Sequence, residues 1–166
     1  MIGGKGNTFG DVLRDIGVAL LFWLVVITVL VGLQLSLGKS PQTTKAVLML
    51  APGNLREAIV WILLSVTAGV CEEFIFRGYL QKQFYAITGS DVAAVAMQAV
   101  VFGSAHSYQG VKAMVALTVY GALFGILAVS RKSLRPGMIQ HSIQDSFAGL
   151  LYGLLNHLGK IPASLL

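Results

Sequence analysis

The sequence has little charge and almost no cysteine, and each shortage excludes a class of protein. Charged residues make up 11% of the 166 residues, whereas a soluble globular domain carries about 25%. An ordinary soluble domain is therefore excluded. The single cysteine, Cys71, excludes an intrachain disulfide and a multi-cysteine zinc site. Basic residues interleaved with aromatic ones, the pattern typical of nucleic-acid binding, are also missing, so no nucleic-acid partner is expected.

What the chain has in quantity is apolar sequence. Hydrophobic residues account for 55% of it, and the mean hydropathy is +0.76. These values predict an integral membrane protein, and 166 residues suffice for one bundle of several spans. The formal net charge of +5 fits basic residues that flank membrane segments and meet lipid headgroups. Membrane lipids are thus the first expected partners.

Apolar runs separated by short polar turns predict an all-α fold. A helix needs about 20 residues to cross a bilayer. We therefore expect a polytopic transmembrane helical bundle with about five to six spans and an intramembrane polar cavity. The predicted spans are residues 17–37, 54–85, 92–105, 111–130 and 138–157. Residues 38–53 are expected to form a loop, in which a partly embedded segment near Val47 would be the sixth span.

The domain organisation is correspondingly simple. Residues 1–16 read as a cytoplasmic or interfacial N-terminal segment, and residues 17–166 as a single transmembrane helical domain. The apolar run at 17–37 is too long for a signal-peptide core, so we expect a retained anchor. The densest basic loop, residues 131–135, is placed in the cytoplasm by the positive-inside rule, which also places the N-terminus inside. Gly121 and Gly125, four residues apart, predict a close helix–helix approach.

The run from Cys71 to Arg77 contains charged residues inside a strongly apolar stretch, where a membrane-spanning sequence normally has none. Intramembrane ionisable residues usually face a bundle interior and mark a functional site. Glu73 and Arg77 are four residues apart, so they share a helix face and can pair without any catalytic role. Glu72 lies about 100° around the helix and has no local partner. It must keep its proton or be held by a group distant in sequence.

Two later apolar segments carry further polar groups, His106 and the pair His141 and Asp145. A water held between Glu72 and His106 could attack a carbonyl, while His141 and its i+4 neighbour stabilise the oxyanion. The same side chains would also suit a metal ion. Each group alone could equally be a structural hydrogen-bond partner between helices. Their conjunction favours function. Cys71 is expected to be a small buried residue.

The three motifs together resemble a known signature. Glu72-Glu73-x-x-x-Arg77, Phe102-x-x-x-His106 and His141-x-x-x-Asp145 are similar to those of the CAAX-protease and bacteriocin-processing family, also called the Abi family, of glutamate intramembrane proteases. The resemblance extends over residues 59–150. Eukaryotic members similar to it remove the last three residues of prenylated CAAX proteins, and bacterial members include peptide-processing and immunity proteins.

The resemblance implies a role for each matching residue. Glu72 would be the catalytic base, acting with His106 on the attacking water. His141 would help to form the oxyanion hole. Asp145 stands where many members have asparagine, and an ionised carboxylate cannot donate to an oxyanion. Asp145 must then be protonated, orient His141, or favour a metal. The supporting residues would be Glu73 and Arg77, which shape the site, and Phe102, which packs it.

The function predicted from these observations is an intramembrane endopeptidase that needs no metal and no cofactor. Its substrate would be a membrane-associated or lipidated peptide or protein, prenylated proteins included, and its location the cell membrane of a prokaryote. Two alternatives stay open. One is a non-catalytic immunity or scaffold protein that binds peptides or membrane partners, and the other is a metal-dependent membrane hydrolase. The sequence does not indicate an oligomeric state.

Overall fold

The computed structural model describes residues 8–38 and 41–161. Residues 1–7 of the predicted N-terminal segment lie outside this part, as do Lys39 and Ser40 of the predicted loop. The described residues form helices and turns without a strand, which confirms the all-α prediction. The helices are α1 (Phe9–Leu37), α2 (Pro41–Leu48), α3 (Leu55–Thr88), α4 (Asp91–Ala105), α5 (Val111–Arg131) and α6 (Arg135–His157), with a short 3₁₀ turn at Ser107–Gln109.

Polar side chains fix where several helices begin. The Asn54 side chain accepts a hydrogen bond from the backbone N–H of Glu57 at 3.0 Å and so caps the start of α3. Ser90 caps α4 in the same way through the N–H of Ala93. The loop predicted for residues 38–53 was wrong in part, because residues 41–48 form α2. The segment near Val47, predicted as a possible sixth span, lies at the end of this helix of 8 residues, which is too short to cross a bilayer.

Three helices are long and apolar enough to cross a membrane by length and composition: α1, α3 and α5. Helix α4 is apolar but has 15 residues, roughly 22 Å of helix. Many large apolar side chains on α1 and α3 are exposed, Leu24 and Leu63 among them, as expected for a surface that faces lipid. The protein is therefore a helical membrane protein. The predicted five to six spans exceed the three that composition alone supports among the described residues.

Small residues bring the helices into close contact. A Cβ added to Gly69 in α3 would lie 2.8 Å from the backbone nitrogen of Ser142 in α6. In α5, a Cβ on Gly121 would lie 3.1 Å from the Cα of Ala99 in α4. A Cβ on Gly125 would lie 2.6 Å from the Gln98 amide nitrogen. These contacts confirm the close approach predicted from Gly121 and Gly125, and they show that α3 packs on α6 and α4 on α5.

The start of α1 lies beside the basic loop between α5 and α6. Asp15 is buried, and its carboxylate is 2.9 Å from the Nε of Arg135 and 3.8 Å from a terminal nitrogen of Arg131. The first turns of α1 are thus on the same side of the bundle as the basic loop. This agrees with the predicted common side for the N-terminus and that loop. Which side faces the cytoplasm stays a prediction.

At the opposite end, the start of α3 meets the end of α6. A Cβ on Gly153 would clash with the carbonyl oxygen of Pro52, and Trp61 lies against Gly149. Helices α3 and α6 therefore run antiparallel. The chain crosses the bundle with α1 and returns with α3. Helices α4, α5 and α6 then cross it in alternating directions. The buried core between them centres on Val26, Phe102, Tyr120 and Phe124.

Candidate active site

The acidic motif lies at the middle of α3, where the helix changes its winding. Residues Glu73–Leu80 form a π-helical segment inside an otherwise α-helical element, a feature that often accompanies functional sites. Glu72 is roughly 25 Å from either end of the helix along its axis. Glu73 and Arg77 point into the bundle and are 1% and 2% exposed, while Glu72 is half-buried. The motif thus lies midway along α3 and faces the inside of the bundle.

Arg77 is held by the helices around it. One guanidinium nitrogen donates to Glu73 Oε1 at 2.9 Å, and another donates to the carbonyl oxygen of Gly121 at 3.3 Å. The guanidinium carbon also lies 4.5 Å from the ring centroid of Phe102 and 5.2 Å from that of Phe124. The predicted Glu73–Arg77 pair is present. Arg77 also connects α3 to α5 across the core through its bond to the Gly121 carbonyl.

His141 is the side chain on which the carboxylates converge. Its Nδ1 is 3.2 Å from Glu73 Oε1. Its Nε2 is 3.6 Å from Asp145 Oδ2 and 3.8 Å from Glu72 Oε2, both beyond a direct hydrogen bond. Glu73 therefore fixes the imidazole from the buried side, and Nε2 faces the other two carboxylates. His141 is a group distant in sequence that lies near Glu72, although the two make no direct hydrogen bond.

The cluster has a closed side and an open side. The side chains of Glu73 and His141 are 1% and 5% exposed, whereas those of Glu72 and Asp145 are 29% and 37% exposed. The buried side chains of Glu73 and His141 form the floor of the site, and Glu72 and Asp145 form its accessible edge. A substrate would meet these two carboxylates first.

His106 lies at the end of α4, beside the same cluster. Its Nδ1 is 2.9 Å from the carbonyl oxygen of Phe102. That oxygen can only accept, so Nδ1 carries the proton and, in the neutral ring, Nε2 is left as an acceptor. The Phe102 ring, 1% exposed, lies 4.7 Å from the His106 ring and 6.3 Å from the His141 ring. Asp145 interacts electrostatically with His106, His141 and Glu72.

Sequence reasoning missed three residues at this site. The rings of Tyr120 and Phe124 each lie 5.5 Å from the His141 ring. The indole of Trp61 donates to the backbone carbonyl of Asp145 at 2.9 Å. All three lie within long apolar runs, where an aromatic side chain looks like ordinary core. The polar hydroxyl of Tyr120 within the fourth predicted span was one available signal.

Cys71 was predicted to be buried, and this was wrong. Its side chain is exposed, although Glu72 and Glu73 beside it turn inward. Consecutive helical residues point about 100° apart, so the inward direction of the acidic pair leaves Cys71 on the outer face of α3. A nucleophilic role for this thiol within the cluster is excluded by that position.

A separate cavity of about 470 Å³ lies between α1, α2, α5 and α6. Leu30 and Leu117 line its inner part, and Lys112 and Lys160 line its outer part. Its lining includes none of the predicted site residues. The polar cluster opens at the Glu72 and Asp145 edge instead. Among residues 8–38 and 41–161, no three His, Cys, Asp or Glu side chains are arranged to hold a metal ion.

These observations define a class: a polytopic helical membrane protein with two histidines and three carboxylates gathered inside the helical bundle. Comparison with family models then identifies the family. The model described as type II CAAX prenyl endopeptidase Rce1-like matches residues 54–147, more than half of the chain, and the protein belongs to this family of membrane-embedded proteases. A search of curated proteins and a search of solved structures found no match. The matched segment contains every predicted site residue.

Proposed function

We propose that this protein is an intramembrane endopeptidase in which Glu72 and His106 activate a water molecule. The observation that supports it most directly is the convergence of three carboxylates on the His141 imidazole at mid-depth, 3.2, 3.6 and 3.8 Å away. A structural role needs only the Glu73–Arg77 pair. Glu72 and Asp145 are partly exposed beside it, where ionisable groups are costly without a purpose.

The chemistry follows from the protonation states that the contacts favour. Glu72, with no direct hydrogen bond to His141, accepts a proton from the water, and the Nε2 of His106 offers a second acceptor. The hydroxide formed attacks the peptide carbonyl carbon, and the C–N bond of the tetrahedral intermediate then breaks. The proton taken by Glu72 passes to the departing amine, so that the products are a carboxylic acid, which keeps the other hydrogen of the water, and an amine.

Asp145 acts through His141 in this scheme. An ionised carboxylate cannot donate a hydrogen bond, but it can attract the Nε2–H of a protonated imidazole 3.6 Å away. Glu73 holds the other ring nitrogen, so the ring cannot turn. His141 then presents its Nε2–H to the developing oxyanion. None of these steps needs a metal ion or a cofactor.

The substrate proposed is a peptide or protein segment that reaches the site from the membrane, either apolar or lipidated. Membership of the prenyl endopeptidase family supports it, as does the mid-depth position of the cluster. Processing of CAAX-type or bacteriocin-type precursors, characteristic of glutamate proteases of the Abi type, is the corresponding activity. A prokaryotic cell membrane is the location that we propose.

The test is cleavage of a library of quenched fluorescent peptides, lipidated and unlipidated, by detergent-purified protein. We expect Glu72→Gln to lower kcat/KM at least about 100-fold, the usual contribution of a general base. The matched control is Glu57→Gln, since Glu57 lies at the start of α3 and bonds Gly53 and Asn54 far from the site. The control should cleave at nearly the wild-type rate.

Chelator and Asp145→Asn separate the alternatives. A glutamate protease keeps its activity in chelator, whereas a metal-dependent hydrolase loses it and recovers on addition of zinc. Asp145→Asn keeps the shape of the side chain and restores a donor, so we expect activity to persist. If folded wild-type protein cleaves no peptide in the library, the proposal fails and a peptide-binding or immunity role takes its place.

A further inference from the structure

Tyr120 occupies a distinctive position beside the catalytic cluster. It belongs to α5 and is 3% exposed. Its ring stacks on Phe124 at 4.4 Å between centroids and meets the His141 ring at 5.5 Å with an interplanar angle of 71°. It also lies 6.1 Å from the Phe102 ring. Tyr120 is therefore the hydroxyl-bearing aromatic side chain that contacts the imidazole on which Glu72, Glu73 and Asp145 converge.

The hydroxyl of this tyrosine is buried without a partner. Among the described residues, its oxygen makes no hydrogen bond. Buried polar groups are nearly always satisfied, and an unsatisfied one costs stability. Asp145, Glu73, Arg77 and Glu72 all act electrostatically on this oxygen, Asp145 most strongly. The hydroxyl therefore lies close to the charged cluster. Phenylalanine would pack equally well at this position, so packing of the ring does not explain the hydroxyl.

The reaction proposed above needs a donor at this place. An oxyanion that forms near His141 would be surrounded by the carboxylates of Glu72, Glu73 and Asp145, which can only accept when ionised. Two of the Arg77 nitrogens already donate to Glu73 and to the Gly121 carbonyl. Of the three aromatic side chains whose rings contact His141, which are Phe102, Tyr120 and Phe124, Tyr120 is the one that carries a neutral donor. A neutral donor adds no charge to a site in lipid and stabilises negative charge as it develops.

We propose that the Tyr120 hydroxyl donates a hydrogen bond to the carbonyl oxygen of the scissile peptide bond, as a second oxyanion donor beside His141. This assignment rests on the proposed proteolysis. The Tyr120 hydroxyl then supplies a hydrogen bond to the oxyanion that Asp145, when ionised, cannot donate. The hydroxyl waits without a partner in the free protein because its partner is the substrate.

The decisive variant is Tyr120→Phe, which removes the hydroxyl and keeps the ring. We expect kcat to fall about 100-fold or more, the effect of losing one oxyanion donor, with KM nearly unchanged because the bond strengthens in the transition state. The melting temperature in detergent should stay equal or rise, since an unpaired buried hydroxyl is removed. Tyr85→Phe, on an exposed position near the end of α3, is the matched control.

Each result decides a different point. If the wild type cleaves and Tyr120→Phe cleaves equally fast, the donor role is overturned and the proposed protease stands. A large loss of thermal stability in Tyr120→Phe would also overturn it, because the hydroxyl would then have a structural partner. If kcat is unchanged and KM rises, Tyr120 contacts the bound substrate but not the oxyanion. If the wild type cleaves nothing, both proposals fall together.

Discussion

At the scale of single residues, Arg77 is the side chain on which the site depends most. It is 2% exposed, it neutralises Glu73, and it donates to the Gly121 carbonyl in another helix. Glu73 in turn orients His141. A chain of contacts thus runs from the core to the imidazole, and loss of Arg77 would leave a buried carboxylate uncompensated.

We predict that Arg77→Gln destabilises the protein by about 3–5 kcal/mol, the cost of breaking a buried ion pair by removing one partner. The matched control is Arg14→Gln, because Arg14 pairs with Asp11 at 3.5 Å while its side chain is 64% exposed. That change should cost less than about 1 kcal/mol. Thermal or denaturant unfolding in the same detergent measures both. Equal effects would contradict the buried role of Arg77.

The sequence predicted the local pairing of these residues better than their surroundings. The i, i+4 spacing of Glu73 and Arg77 sufficed to predict their pairing, because helix geometry alone brings them together. The partner of Glu72 and the donor to the Asp145 carbonyl lie on other helices, at separations that no local pattern encodes. The direction of Cys71 was missed for a related reason: it depends on which face of α3 the neighbouring helices cover.

At the scale of elements, α3 and α6 form the frame of the site. Trp61 lies against Gly149, and Gly69 lies against Ser142, one residue from His141. Because Gly69 is three residues before Glu72, this contact sets the distance between Glu72 and the imidazole. The packing of α3 on α6 thus depends on glycines, which have no side chain, as much as on the side chains that lie against them.

Gly69→Ala should therefore act on both stability and catalysis. Its Cβ would lie 2.5 Å from the Ser142 hydroxyl and 2.8 Å from the Ser142 nitrogen, so the helices must separate, at a cost of about 1–3 kcal/mol. We expect a lower melting temperature and slower peptide cleavage. The control is Gly32→Ala in α1, where the added Cβ meets nothing within 4 Å. That variant should be neutral or slightly stabilised.

Two elements escaped the sequence analysis for physical reasons. Helix α2 is short, polar and begins with proline, so it lacks the hydrophobic periodicity on which helix prediction depends. The π-helical winding at Glu73–Leu80 leaves no mark in hydropathy, because it changes the register by a fraction of a turn. Most ends of the long apolar helices were predicted to within a few residues, because turns rich in glycine and charge separate the helices. The exception is the start of α1, which lies at Phe9 and not at residue 17.

At the scale of the whole molecule, the bundle has two distinct faces. The start of α1 and the basic loop meet at one face through Asp15 and Arg135. Helix α2 meets the turn at Ser107–Gln109 at the other, where the Thr43 hydroxyl donates to the Gln109 carbonyl. Hydropathy cannot establish this arrangement, since α4 is short and α6 carries polar site residues. It follows from which helices touch.

Labelling of single cysteines tests that arrangement. In a Cys71→Ser background, we expect Lys132→Cys and Thr88→Cys to share one accessibility and Tyr108→Cys to show the opposite one. With the basic loop in the cytoplasm, a membrane-impermeant maleimide added to intact cells should label only Tyr108→Cys. Labelling of the other two alone would invert the orientation and keep the fold. Different behaviour of positions 132 and 88 would contradict the fold.

The outward position of Cys71 has a practical consequence. Its thiol is the single one in the chain, it lies next to Glu72, and it faces away from the cluster. An environment-sensitive fluorophore attached there would lie at the depth of Glu72 without entering the cluster. Quenching by spin labels placed at known depths along the acyl chains would then report, in the native sequence, how far below the bilayer surface Glu72 lies.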